Sequence, residues 1–248
     1  MSSGRAAQRH DLFRPGLLVS VLLALTLGGC GADGSAADGS RGTTRADADV
    51  RVRLFAGLAV SSPPLAQLVQ TNRTTVTPVD VAWLRGWQVL DVEVSMPNHP
   101  KRFYAALSDD DTVLVLSGDP DSFAQMVRSA QVQVGDAATA IDVGNTYLDV
   151  TRAFDRYSYR IDSLSEIMWI PNIDSDPALA QHRADLEAQY GTLVQPPVAQ
   201  PTETGWNMTV WMVYDRSLVR HSLEIAADGA VQDSPEVVET EIPVPWTF

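Results

Sequence analysis

The sequence predicts an α+β fold in which helices pack on a curved, mainly antiparallel sheet. Two helices have clear starts, because aspartate precedes proline at Asp119-Pro120 and at Asp176-Pro177. The last fifty residues are typical of an antiparallel meander, because Leu218–Ile225 alternates apolar and polar side chains and Asp228-Gly229 is typical of a tight hairpin turn. From residue 136 onward the order is helix, strand, helix and then three strands, which a helix-covered antiparallel sheet satisfies.

The first part of the folded region is predicted to be mixed. Ser62, followed by two prolines, predicts a short helix through Val69, and Thr77 with its following proline predicts another through Leu84. The β-rich runs that follow predict a strand and then a hairpin, at residues 88–96, 103–107 and 112–116. Asp109-Asp110-Asp111 lies between the hairpin strands, where carboxylates form either a solvated tip or a site for a hard cation.

Three helices are predicted in the middle of the chain. Asp119 begins the first, whose apolar residues recur at helical spacing at Phe123, Met126, Val127 and Ala130. Asp136 caps a longer helix from Ala137 to about Phe154. Asp176 caps the third, and Gly191 is expected to end it in the left-handed conformation.

Four strands complete the expected fold. They are predicted at Tyr157–Asp162, Trp206–Tyr214, Leu218–Ile225 and from Val231 to about Val244. The run from Trp206 is apolar on both of its faces, so this strand should be central or covered on both sides.

The N-terminus has the layout of a signal peptide. Arg5, Arg9 and Arg14 precede the uncharged apolar run from Leu17 to Leu27, which is too short for a permanent membrane helix. The run ends in Leu27-Gly28-Gly29-Cys30, an aliphatic residue and two small residues before a cysteine. This pattern resembles the lipobox of bacterial lipoproteins.

The resemblance implies that Cys30 carries a diacylglyceryl group after cleavage of the leader. The mature chain would then be anchored in the cell membrane and would lie on its extracytoplasmic face, since two acyl chains give stable attachment. The alternative is an ordinary secretory leader with an incidental cysteine. Lys101 is the only lysine in the chain, and this bias toward arginine resembles the exported lipoproteins of actinobacteria.

Composition divides the chain into four predicted segments. Residues 1–29 form the leader, and residues 30–49 form the lipidated cysteine and a disordered tether without large apolar side chains. Residues 50–135 would form a small α+β unit, and residues 136–248 a helix-on-sheet unit. A single domain over residues 50–248 is the alternative.

Charge and missing motifs exclude several functions. The formal charge of −13 disfavours nucleic-acid binding, and the single cysteine excludes a disulfide framework or a thiolate zinc site. Serine-elbow, phosphate-loop, dinucleotide and H-E-x-x-H motifs do not occur. The histidines are not spaced as metal ligands. We therefore assign no catalytic residue, cofactor or metal site from the sequence.

The element order of the C-terminal half is similar to NTF2-like and cystatin-like domains. An NTF2-like cone implies a pocket for an apolar ligand, lined by some of the aromatic residues that gather here and by one histidine: Tyr147, Tyr159, Trp211, Tyr214 and His221. Filling of the core is the alternative role for these aromatic residues. His221 falls on the apolar face of its strand, where it acts either as a hydrogen-bonded core residue or in proton transfer.

Two main functions remain, and the sequence favours the first. The chain would be a membrane-tethered binding or accessory module that contacts the bilayer through acylated Cys30 and recognises an envelope protein or a small apolar ligand. Alternatively, it would be an NTF2-like enzyme that performs acid–base chemistry in an apolar pocket. A purely structural role in the envelope is a third hypothesis.

Overall fold

A computed structural model describes residues 45–96 and 100–245 and confirms the α+β class. Five helices occur in the described residues: α1 Arg45–Ser61, α2 Pro63–Val69, α3 Pro120–Ser129, α4 Ala137–Thr151 and α5 Pro177–Tyr190. The strands of these residues are β1 Thr74–Val79, β2 Trp87–Val94, β3 Lys101–Ser108, β4 Val113–Val115, β5 Ser158–Ile161, β6 Gln200–Pro201, β7 Gly205–Tyr214, β8 Ser217–Ala226 and β9 Val231–Glu239.

The strands form two antiparallel sheets. Sheet A has the order β1-β2-β3-β4, so each strand pairs with its neighbour in sequence. Sheet B has the order β5-β7-β8-β9, and the short β6 pairs with one end of β7. The long crossover between β5 and β7 contains α5, which covers one face of sheet B.

Three apolar cores hold the layers together. α1 and α2 pack on one face of sheet A, around residues such as Leu54, Leu58 and Phe103. The largest core lies between the two sheets and contains α3 and α4, so its residues come from both sides of Gly135. The third core joins α5 to the other face of sheet B through Leu186 and Trp211.

Local capping explains why the helices begin where the sequence predicts. The Asp119 carboxylate accepts hydrogen bonds from two backbone N–H groups of α3, and Asp136 accepts one from the N–H of Thr139 at 2.8 Å. Asp176 caps α5 in the same way. α4 ends at Thr151, three residues before the predicted end, because Arg152 is already extended.

Two local predictions are wrong. The segment 77–84 does not form a helix, because Thr74–Val79 pairs with β2 as an edge strand. Pro78 is tolerated there, since an edge position does not require every N–H group. Gly191 is not left-handed; its φ of −58° continues the turn, and its N–H donates to the Glu187 carbonyl at 3.0 Å.

α1 includes residues that the sequence assigns to the tether. Residues 45–49 belong to this helix, whereas residues 31–44 and Cys30 lie outside the described residues. The Arg51 guanidinium ties α1 to the next elements by donating to the carbonyls of Val69 at 2.8 Å and Thr74 at 2.6 Å. These bonds connect α1 to the end of α2 and the start of β1.

β7 is central, as the pattern of its side chains predicts. Met208, Val210 and Met212 face α4, whereas Trp211 and Val213 face α5. The hairpin turn between β8 and β9 is also confirmed, with Gly229 at a φ of +81°. None of the helices within residues 45–96 and 100–245 combines the length and apolar composition that a bilayer crossing requires.

Candidate functional site

The structure does not bring the five predicted pocket residues into one cavity. Tyr147, Tyr214 and His221 belong to the side of sheet B that faces α4, whereas Tyr159 and Trp211 belong to the side that faces α5. Tyr147 and Trp211 are buried, and the other three are partly buried. Most of these side chains contribute to the cores on the two sides of the sheet.

His221 has a carboxylate partner, which its spacing in the sequence does not indicate. Its Nδ1 lies 2.9 Å from Oδ2 of Asp233, and both side chains are largely buried, at 14% and 13% exposed. Burial raises the pKa of the nearby Tyr147, and the charge of Asp233 raises it further. The hairpin register pairs Leu223 with Asp233 and His221 with Pro235, so Asp233 is a diagonal neighbour of His221 on the same face of the sheet.

A groove of about 380 Å³ lies along α4, and we call it the α4 groove. Its walls come from four parts of the chain: the segment 79–83 after β1, Tyr104 of β3, Arg160 of β5 and one side of α4. The α4 residues are Asp142, Asn145, Thr146, Asp149 and Val150. The volume falls in the range of small-molecule sites.

The periodicity of α4 places its polar residues along this groove. Asp142, Asn145, Thr146 and Asp149 recur at i, i+3, i+4 and i+7, so they form one stripe about 10 Å long. The buried stripe beside it contains small and aromatic residues that face the sheets, including Val143, Gly144 and Tyr147. α4 therefore presents a polar face beside a tightly packed one.

Aromatic contacts hold the opposite wall in place. The Trp83 ring lies edge-on to Phe123 of α3, with centroids 6.3 Å apart, and Phe123 in turn contacts Tyr147. Tyr104 is fixed by Arg102, whose Nη2 donates to the Tyr104 hydroxyl at 3.1 Å. Because that hydroxyl accepts from Arg102, its own proton remains available to donate.

Arg102 is itself held by a two-point ion pair with Asp91. Its Nε and Nη2 donate to the two carboxylate oxygens at 2.8 and 2.5 Å, and these bonds raise the pKa of Arg102. The guanidinium also lies 5.3 Å from the centroid of the Phe154 ring. Tyr104 therefore rests on a rigid support behind the groove.

The α4 groove is acidic. Asp80, Asp142 and Asp149 face a single cation, Arg160, whose Nη1 lies 3.6 Å from Oδ2 of Asp149. Within the described part of the chain, Asp80 and Asp142 form no ion pair and their carboxylates accept no hydrogen bond. Asp149 thus already balances the charge of Arg160, and the carboxylates of Asp80 and Asp142 remain without a cation.

Three buried polar atoms in this groove have no hydrogen-bond partner. Six such side-chain atoms occur in the described residues, and three of them are Trp83 Nε1, Asn145 Oδ1 and Arg160 Nη1, which belong to lining residues of the α4 groove. Leaving a buried donor or acceptor unpaired costs about 1–3 kcal/mol. Native proteins leave few such groups unpaired, so each requires an explanation.

A second groove of about 640 Å³ lies on the α5 side of sheet B, and we call it the sheet groove. It is formed by the loop 193–200 and by exposed polar residues of β7 and β8, including Asn207, Thr209 and Glu224. Although this groove is larger, none of the unpartnered atoms identified in the described residues belongs to it.

Only part of the α4 groove is predictable from the sequence. The polar stripe on α4 is readable at helical spacing, whereas Trp83 lies in the segment whose structure was predicted incorrectly. His221 lines neither groove. Across residues 45–96 and 100–245, no cluster of three or more acidic, histidine or cysteine side chains is arranged to hold a metal ion.

Comparison with protein-family models, curated proteins and solved structures gives no significant match for this chain. A functional proposal therefore rests on the chain's own residues and their geometry.

Proposed function

We propose that this chain is an exported, lipid-anchored binding protein that recognises a small polar molecule in its α4 groove. The observation that supports it is the coincidence of three unpartnered polar atoms with the lining residues of one groove. A ligand that forms those hydrogen bonds recovers the free energy that the unpaired groups cost. This proposal replaces the apolar ligand expected from the sequence with a polar one.

The three atoms are buried, so binding requires a local rearrangement. The side chains of Asn145 and Arg160 are partly exposed on the groove surface. Rotation of either side chain would bring its buried polar atom to the ligand. The Tyr104 wall of the groove is held by the Arg102–Asp91 ion pair. Side-chain rotation on a rigid scaffold is a common binding response.

Two matched variants of the full chain test the site. Asn145→Leu removes the unpaired amide from the α4 groove, and Asn207→Leu makes the same change at an exposed position in the sheet groove. We expect polar compounds that raise the melting temperature of the wild type to raise that of Asn207→Leu equally, and to have no effect on Asn145→Leu. The readout is a thermal-shift screen of neutral, cationic, anionic and zwitterionic compounds.

The proposal is wrong if no compound in the screen stabilises the wild type. It is also wrong if every stabilising compound acts equally on Asn145→Leu, since binding would then occur elsewhere. Loss of the effect in Asn207→Leu alone would assign the ligand to the sheet groove.

The anchor rests on the leader and on Cys30, and it has its own test. We expect Cys30→Ala to incorporate no labelled fatty acid and to leave the membrane fraction, because the thiol that carries the diacylglyceryl group is removed. Retention of both label and membrane association would contradict the lipid anchor. Arg9→Ala, in the leader but outside the lipobox, is the matched control and should still be lipidated.

A further inference from the structure

We infer that the ligand of the α4 groove is a neutral, polyhydroxylated molecule, that is, a carbohydrate. The inference rests on the proposed binding function and deepens it by naming the ligand class. It follows from the hydrogen-bond types of the unpartnered atoms, the charges of the groove and the character of its walls.

The unpartnered atoms require a ligand that both donates and accepts. Trp83 Nε1 carries a hydrogen and needs an acceptor, and Arg160 Nη1 has only its ion-pair contact of 3.6 Å with Asp149 Oδ2, whereas Asn145 Oδ1 needs a donor. A hydroxyl group meets both needs, because it has one hydrogen and two lone pairs. Several adjacent hydroxyls would satisfy all three atoms without placing a charge in the groove.

Anions are disfavoured mainly by the charges of the groove. A phosphate or carboxylate accepts hydrogen bonds, so the Asn145 amide would have to turn its Nδ2 toward it in place of Oδ1. It would also approach Asp80 and Asp142, while the positive charge of Arg160 is already opposed by Asp149 at 3.6 Å. A zwitterionic amino acid meets the same repulsion at its carboxylate.

Cations are disfavoured by the donors. An ammonium group has hydrogens but no lone pair, so it would leave Trp83 Nε1 unpaired and would be repelled by the Arg160 charge. Asp80 and Asp142 attract a cation, which makes a polyamine the strongest competitor to a carbohydrate. The experiment therefore includes a polyamine.

The walls also suit a sugar ring. Trp83 and Tyr104 provide aromatic surfaces beside Val79 and Val81, and the polar stripe of α4 lies on the other side. A sugar presents apolar C–H groups on its ring face and hydroxyls around its rim, so it matches one aromatic wall and one polar wall. The stripe is about 10 Å long, which suits a compact ligand.

Titration calorimetry of the full chain tests the ligand class, with neutral glycans first selected from a glycan array. The other probes are spermidine, citrate and glutamate. We expect a neutral glycan to bind at least about tenfold more tightly than each charged probe. Its affinity should be unchanged between about 0.05 and 0.5 M salt, since a neutral ligand is not screened.

Variants separate this inference from the proposed function. We expect Asn145→Leu to weaken glycan binding by about tenfold or more, and Trp83→Phe to weaken it by several-fold through loss of the indole donor. Trp169→Phe, a tryptophan in the α5 core, and Asn207→Leu are the matched controls and should bind as the wild type does.

The outcomes distinguish failure of the carbohydrate inference from failure of the proposed site. If a charged probe binds more tightly and Asn145→Leu abolishes its binding, the site is correct and the carbohydrate inference is wrong. Failure of every array glycan to bind overturns the inference as well. If a glycan binds equally to the wild type and Asn145→Leu, both the inference and the proposed site are wrong.

Discussion

The α4 groove and the sheet groove lie on opposite sides of sheet B and differ in how their polar groups are satisfied. The sheet groove is larger, at about 640 Å³ against about 380 Å³, yet its polar residues are exposed to water. The α4 groove has three buried atoms without partners and two carboxylates without a cation. The two grooves therefore differ in the satisfaction of their buried polar groups, and volume alone does not reveal this difference.

The largest expected effect comes from the packing behind the α4 groove. A Cβ atom at Gly144 would clash with Met208 Cε and would lie 3.0 Å from the Leu223 and Ile225 side chains. Gly144→Leu should therefore lower the free energy of unfolding by about 3 kcal/mol and displace α4 from sheet B. Urea denaturation measures the change.

The glycine at position 135 provides the control for that substitution, because an added Cβ there has no neighbour within 4 Å. Gly135→Ala should change stability by less than about 0.5 kcal/mol. A Gly144→Leu protein of wild-type stability would show that α4 can move freely, and the α4 groove would then not be rigid.

A smaller effect sharpens the difference between the grooves. Asn145→Leu should raise the free energy of unfolding by about 1 kcal/mol, because it removes a buried acceptor without a partner. Asn207→Leu should have an effect near zero, because Asn207 is exposed. Equal shifts of the urea midpoint for the two variants would show that the Asn145 amide is no less satisfied than the Asn207 amide.

The N-cap of α3 gives a third, pH-dependent test. Asp119→Ala should cost about 1 kcal/mol at neutral pH, since the carboxylate caps the helix that supports Trp83 through Phe123. Hydrogen bonds from the Ser122 hydroxyl and backbone N–H lower the pKa of Asp119 below 3.8. The contribution of the Asp119 carboxylate to the free energy of unfolding is therefore fully present above pH 3.8, and it is lost as the pH falls through the lowered pKa.

Unfolding measured at pH 7 and at about pH 3 checks this sign. The wild type and Asp119→Ala should differ at pH 7 and converge in acid. A stability difference that grows as the pH falls would contradict the capping role. Asp121→Ala, in the first turn of the same helix and without a side-chain hydrogen bond in the described residues, is the matched control.

The smallest effect is expected at the rim of the sheet groove. Arg220 pairs with Glu236, and both side chains are about half exposed. Arg220→Gln should change the free energy of unfolding by no more than about 0.5 kcal/mol, because water and salt screen such pairs. A larger loss in thermal denaturation would mean that the sheet groove is more tightly organised than its exposure indicates.

Much of the secondary structure was predictable because its causes are local. The caps Asp119, Asp136 and Asp176 bond to N–H groups two or three residues away, so the starts of α3, α4 and α5 can be read directly. The Asp228-Gly229 turn is equally local. Segment 77–84 was predicted incorrectly because pairing with β2, a distant interaction, outweighs its helix-start signal.

The candidate site was only partly predictable. The polar stripe of α4 follows from helical spacing, but Trp83 and Tyr104 come from segments dozens of residues away, and Arg160 comes from a separate strand. The aromatic residues named from the sequence were assigned by composition, and composition does not indicate which face of a sheet each residue occupies. Asp233 was missed because its contact with His221 depends on the β8–β9 register.

The sequence by itself determined the α+β class, the capped helices, the C-terminal meander and the expectation of a lipid-anchored leader at Cys30. Each of these depends on residues within a few positions of one another, where backbone geometry and capping act directly. Only the tertiary structure decided that α4 lies between two sheets, and that one groove collects unpaired polar atoms from three of its four walls. The physical reason is that burial and hydrogen-bond satisfaction depend on which distant segments pack together.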